Sequence, residues 1–107
     1  MIRLLVILFF VAIAHIVAFQ PSEPFYLSDE TRHLMTGTFF HDLMKGGNLS
    51  QAKSFAYQYY GQYPALGLLV WPPLFHIVEG AWMAMFGVSV LASKILVLTF
   101  LAIACLF

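Results

Sequence analysis

LLVILFFVAIAHIVAF, residues 4–19, is an apolar run led by Arg3 and interrupted only by His15. Taken from Ile2 as a helix at roughly 1.5 Å per residue, it covers about 27 Å, close to a hydrocarbon thickness of about 30 Å. The run predicts a membrane-spanning helix over residues 2–19. A cleaved signal peptide shares its basic start and apolar core. The residues before Gln20, Val17-Ala18-Phe19, match a small-x-small cleavage site poorly, which favours a retained helix.

Composition carries the same message outward. The 107 residues are 62% hydrophobic and 9% charged, with a mean hydropathy of +0.87, whereas soluble domains carry about 25% charged residues. Net charge is zero, and Arg3, Arg32, Lys45, Lys53 and Lys94 are scattered, so no basic patch exists for nucleic acid. The single cysteine, Cys105, cannot form an internal disulfide.

Two more apolar segments follow, over residues 64–86 and 88–107. Pro72-Pro73 breaks the first of them, because a proline disfavours helix in the residue before it, while Pro73 suits a first helical turn. The helix from there to Phe86 would be about 21 Å long, so Ala65 to Val70 would supply the remaining depth. The second is still apolar at Phe107, with no closing polar flank, so the chain reads as the N-terminal piece of a longer protein. The expected fold class is an all-α integral membrane protein with about three transmembrane helices. Arg3 and Lys94 would lie on the cytoplasmic side and the loop over residues 20–63 outside.

That loop carries two helix signatures. Ser28 can cap a helix whose first turn holds Asp29 and Glu30, whose last holds Lys45, and which stops at Gly46-Gly47. Met35, Phe39 and Leu43 recur every fourth residue within it. Ser50 can cap a second helix, in which Ala52, Phe55, Ala56, Tyr59 and Tyr60 share one face. Both read as amphipathic helices at the membrane surface, with Tyr57, Tyr59, Tyr60 and Tyr63 as an aromatic belt.

The order of landmarks resembles a known family. An apolar span leads to Asp29-Glu30-Thr31-Arg32, then Gly46-Gly47, Pro72-Pro73-Leu74 and Met85-Phe86-Gly87-Val88-Ser89. This is similar to the N-terminus of C-type glycosyltransferases that use polyprenyl-phosphate sugars, in particular the protein O-mannosyltransferase and aminoarabinose transferase group. The resemblance implies transfer of a sugar from a lipid-linked donor to an acceptor outside a plasma membrane, such as the bacterial inner membrane. It implies the bilayer, the lipid-linked donor and an unspecified acceptor as partners. It maps the catalytic acid pair onto Asp29 and Glu30, with Asp29 acting on the acceptor. Such a carboxylate can take the proton of a hydroxyl as it attacks the anomeric carbon, and a single attack would invert that carbon. Arg32, about one turn away, would stabilise the leaving phosphate. A lysine often precedes the proline of the second span in the aminoarabinose branch; here the position is Trp71, which leaves a phosphate-holding role there unassigned.

Plainer readings stand beside these. Asp29 and Glu30 can simply complement the helix dipole, worth about 0.3–1 kcal/mol each. Glu30-x-x-His33 has the spacing of one arm of a carboxylate-bridged metal site, but no partner ligands are visible in the sequence, so no metal ligands are assigned and a divalent metal remains the one possible cofactor. His41 beside Asp42 reads as a solvated pair. Glu79 and His76, three residues apart, can pair inside the second span or mark function, since intramembrane ionisable groups are costly. A small non-enzymatic membrane protein built on that pair is the alternative function. A third option is a static binding platform that uses Phe39 and Phe40.

Overall fold

Prolines and glycines cut this chain into short helices. A computed structural model describes residues 2–18, 28–64, 66, 68 and 70–105, with residues 14–18, 28 and 48 described by backbone alone. Regular structure among these residues is all helical: α1 Ile2–Ala18, α2 Ser28–Lys45, a 3-10 turn Asn48–Gln51, α3 Ala52–Gln62, α4 Pro73–Phe86 and α5 Val90–Ala104.

Each boundary has a local cause. α2 ends where Gly46 N–H donates to Asp42 O (2.9 Å) and Gly47 turns left-handed at φ 64°, a conformation that glycine reaches without a Cβ penalty. α3 starts at Ala52 instead of being capped by Ser50, because Ser50 lies within the 3-10 turn and Gln51 occupies the cap position. α4 opens on Pro73 and closes at Gly87, whose φ is 88°. Ser89 then caps α5, its Oγ accepting from Ala92 N–H at 3.1 Å.

No helix among the described residues is long and apolar enough to cross a membrane. This corrects the spans expected over residues 2–19, 64–86 and 88–107, and with them the integral-membrane fold class and location. The reason is length. The 17, 14 and 15 residues of α1, α4 and α5 make rods of about 25, 21 and 22 Å, against about 30 Å of hydrocarbon. Pro72 and Gly87 bound α4 at the breaks that the sequence marks, and α5 begins only at Val90, behind the Ser89 cap. Residues 19–27, 65, 67, 69 and 106–107 and the side chains of His15, Val17, Ala18 and Ser28 lie outside the described residues. The cleavage-site, Ser28-cap and Phe107 readings fall there.

The surface role expected of α2 and α3 is corrected too. α2 packs chiefly against α4, and also contacts the 3-10 turn and α3, while α4 contacts α5. Thr36, Gly37, Phe39, His41 and Leu43 are all buried on α2, which is more of its circumference than one amphipathic face presents. Phe39, Leu43 and Leu66 form an apolar core with Phe55 and Tyr59 of α3 packed on it. The expected aromatic belt divides: Tyr59 turns inward onto Phe39 (ring centroids 5.3 Å apart), whereas Tyr57, Tyr60 and Tyr63 are exposed.

Candidate functional site

The site grows from one helix crossing. On α4, His76, Glu79, Gly80 and Met83 are buried, the i, i+3, i+4, i+7 spacing of a single helix face. A Cβ on Gly80 would sit 2.7 Å from His41 N and 3.0 Å from Gly37 O. A Cβ on Gly37 would sit 2.6 Å from Glu79 Cδ. Glycine at both positions is therefore what lets the two backbones approach and admits the Glu79 carboxyl between them.

Ionisable groups gather on one side of that crossing. His33 Nδ1 and His76 Nε2 are 2.8 Å apart, with the rings stacked at 5.1 Å and 9°. One nitrogen donates and the other accepts, so the pair carries at most one positive charge while the bond persists. Burial lowers the pKa of His76, the neighbouring His33 lowers it further, and the Pro72 backbone pulls partly the other way. Trp71 also lies against His33, with ring centroids 5.1 Å apart and the planes tilted by 45°.

Glu79 is only 2% exposed. Burial raises its pKa, offset in part by the Ser93 hydroxyl, so the neutral acid is favoured. The pairing of Glu79 with His76 expected from their spacing is replaced by His33–His76. Glu79 Oε2, Ser93 Oγ and His76 Nδ1 are buried without a well-formed hydrogen bond among the described residues, so the Ser93–Glu79 and Pro72–His76 contacts pair them only loosely. Loose pairing of buried polar atoms costs part of the penalty of an unmade bond.

Two clefts flank the first turns of α2. Glu30, His33, Phe75, Glu79 and Ser93 line one of about 310 Å³; Thr31, Arg32, Met35, Gln62 and Tyr63 line another of about 480 Å³. At about 100° per residue, Asp29 falls on the ridge between Arg32 and His33. The Arg32 guanidinium lies 3.9 Å from the Asp29 carboxylate, and both side chains are about half exposed or more, so the pair adds little stability. Thus Glu30 shares its cleft with His33, whereas Asp29 and Arg32 stand together outside it. Among the described residues, no group of three His, Cys, Asp or Glu side chains converges to hold a metal ion.

A second polar cluster departs from its sequence reading. His41 is buried instead of solvated; its Nδ1 lies 2.8 Å from Asp42 Oδ1, and Tyr59 O–H donates to Asp42 Oδ2 at 3.2 Å. Burial first, then the Asp42 charge and hydrogen bond, push the Tyr59 pKa up to about 12. Phe39 is 4% exposed and Phe40 packs against the same core, so neither offers the contact surface expected of it. Sequence reasoning missed the His33–His76 pair, because the two residues lie 43 positions apart and no local spacing joins them. No family model, curated protein or solved structure matches the chain, so its functional reading rests on its own residues.

Proposed function

We propose that this chain supplies the acceptor-activating part of a sugar transferase that uses a polyprenyl-phosphate-linked donor. The observation that carries the reading is the division of labour around the first turns of α2. Proton-accepting groups, Glu30 and His33, line one cleft, while the fixed positive charge of Arg32 lines the next. A hydroxyl acceptor in the smaller cleft gives its proton to Glu30, with His33 alongside to pass it on. Its oxygen attacks the anomeric carbon, the bond from that carbon to the phosphate oxygen breaks, and the phosphate leaves with the electron pair. Arg32 faces that developing charge, and Asp29, beside Arg32, orients the guanidinium. One displacement inverts the sugar carbon.

The test is transfer of labelled sugar from a short-chain prenyl-phosphate donor by the complete gene product. Glu30→Gln is expected to lower kcat by about 10²–10⁴-fold, and Arg32→Ala to raise the donor KM. Turnover within about threefold of the parent protein in Glu30→Gln would remove the general base from the proposal.

Exposed apolar side chains favour a second, non-enzymatic reading as an assembly subunit. Leu74, Met85 and Phe86 of α4 are 73%, 69% and 62% exposed, and exposed apolar surface is what partner contacts cover. Binding partners retained by Glu30→Gln but lost on Phe86→Ser would support it.

A further inference from the structure

The floor of the smaller cleft is unusual in its chemistry. Glu79 and Ser93 line it; the Ser93 hydroxyl acts on the Glu79 carboxyl, yet the pair leaves Glu79 Oε2 and Ser93 Oγ without a well-formed hydrogen bond among the described residues. Gly37 makes room for the carboxyl, since a Cβ there would collide with it. Phe75, half-buried, supplies an aromatic wall, and Val90 and Val97 add apolar surface. The cleft volume of about 310 Å³ falls at the small end of the roughly 300–1,000 Å³ typical of ligand sites.

Charge narrows the occupant. No lysine or arginine lines this cleft among the described residues, and Glu30 at its mouth repels anions. An ammonium group would need an ionised Glu79, which burial disfavours. A Glu79 carboxyl that keeps its proton offers one O–H donor and one carbonyl acceptor, and Ser93 offers one donor and two lone pairs. That mixed set matches vicinal hydroxyl groups, which both donate and accept, while a ring's C–H face suits Phe75.

We propose that this cleft is a subsite for one uncharged, polyhydroxylated six-membered ring, held at its floor by Glu79 and Ser93 against Phe75. The subsite rests on the transfer reading in one respect only: the ring is then the acceptor whose hydroxyl faces Glu30 and His33. Because the polar floor and the cleft lining carry the assignment, it is tested by binding, with no donor present.

Saturation-transfer NMR and titration calorimetry on the full chain would use methyl β-D-glucopyranoside and methyl α-D-mannopyranoside as probes. Methyl β-D-glucuronide and cyclohexylammonium would serve as the anionic and cationic comparators. At least one neutral glycoside is expected to bind more tightly than both comparators. Ser93→Ala should weaken it by about tenfold, the equivalent of roughly 1.4 kcal/mol. Glu79→Gln, which keeps a donor and an acceptor, should stay within about threefold, and Glu79→Leu should abolish binding. Tyr57→Ala, exposed on α3, should change nothing. Should Glu79→Leu fail to fold, Ser93→Ala decides. Absence of binding by either glycoside, preference for the ammonium probe, or indifference to Ser93→Ala would overturn the subsite. Glycoside binding with the expected losses, in a complete protein that transfers no sugar, would uphold the subsite and defeat the transferase reading.

Discussion

Toward α3, helix α2 presents Phe39 and Leu43 to Phe55, Tyr59 and Leu66; toward α4 it presents His33 and Gly37 to His76 and Glu79. The first contact is held by aromatic packing, with Phe39 5.7 Å from Phe55 and 5.3 Å from Tyr59 between ring centroids. Its one polar thread, Tyr59 to Asp42 to His41, is hydrogen-bonded throughout. The second is held by close backbone approach, and it buries polar atoms that are only loosely paired. Packing of the first kind maximises stability. The second kind gives some stability away, which is common where a surface binds something.

The contrast can be broken most forcefully on the apolar side. Phe39→Ala should cost about 3–5 kcal/mol in urea unfolding, the range for emptying an aromatic site; a loss below about 1 kcal/mol would mean the cluster is not the scaffold. Next comes the crossing itself. Gly80→Ala should cost about 1–3 kcal/mol, since the added methyl meets backbone and Cβ atoms that cannot swing aside. Retention of full stability would show that the two helices separate freely.

A smaller effect tests the satisfied thread. Tyr59→Phe should cost about 0.5–1.5 kcal/mol near neutral pH. It should also remove an alkaline loss of stability. The folded pKa of about 12 exceeds the ordinary value of 10.0, so the folded state keeps its proton longer and stability falls as pH rises between those values. An unchanged alkaline limb in Tyr59→Phe would place that loss elsewhere.

The subtlest test separates the two buried groups on the α4 side by the sign of their pH dependence. Glu79 has a folded pKa above 4.5, so its contribution is full below that value and is lost as pH rises through the folded pKa. His76 has one below 6.5, so its contribution is full above that value and is lost as pH falls through the folded pKa. The two oppose each other over acidic pH. Glu79→Gln should therefore steepen the rise of the urea midpoint toward about pH 6.5, and His76→Asn should expose the fall that Glu79 causes. Identical profiles in both variants would mean that neither group titrates with folding.

Much of the helical layout is legible in the sequence. Asp29 and Glu30 at the start of α2, Lys45 at its end and Gly46-Gly47 beyond it mark an element that runs Ser28–Lys45. Pro72-Pro73 marks the start of α4. Membrane spanning was misread because hydropathy sums residues and does not see where a helix stops. Gly87 at φ 88° ends α4 and the Ser89 cap starts α5 at Val90, so the two apolar runs yield helices of 14 and 15 residues. Asp29, Glu30 and Arg32 stand out in the sequence because they fall within one helical turn. Their separation into two clefts does not, since it depends on which elements pack on either side of α2.

By itself, then, the sequence determined where α2 runs, the breaks at Gly46-Gly47 and Pro72-Pro73, and the placing of an acidic pair at the start of α2, because hydrogen bonding and backbone sterics act within a few residues. Only the tertiary structure decided that His33 meets His76, that Gly37 opposes Glu79, and that Glu30 rather than Asp29 faces the smaller cleft. Those facts arise from a helix crossing between residues some 40 positions apart, and side-chain packing, not local spacing, sets where helices cross.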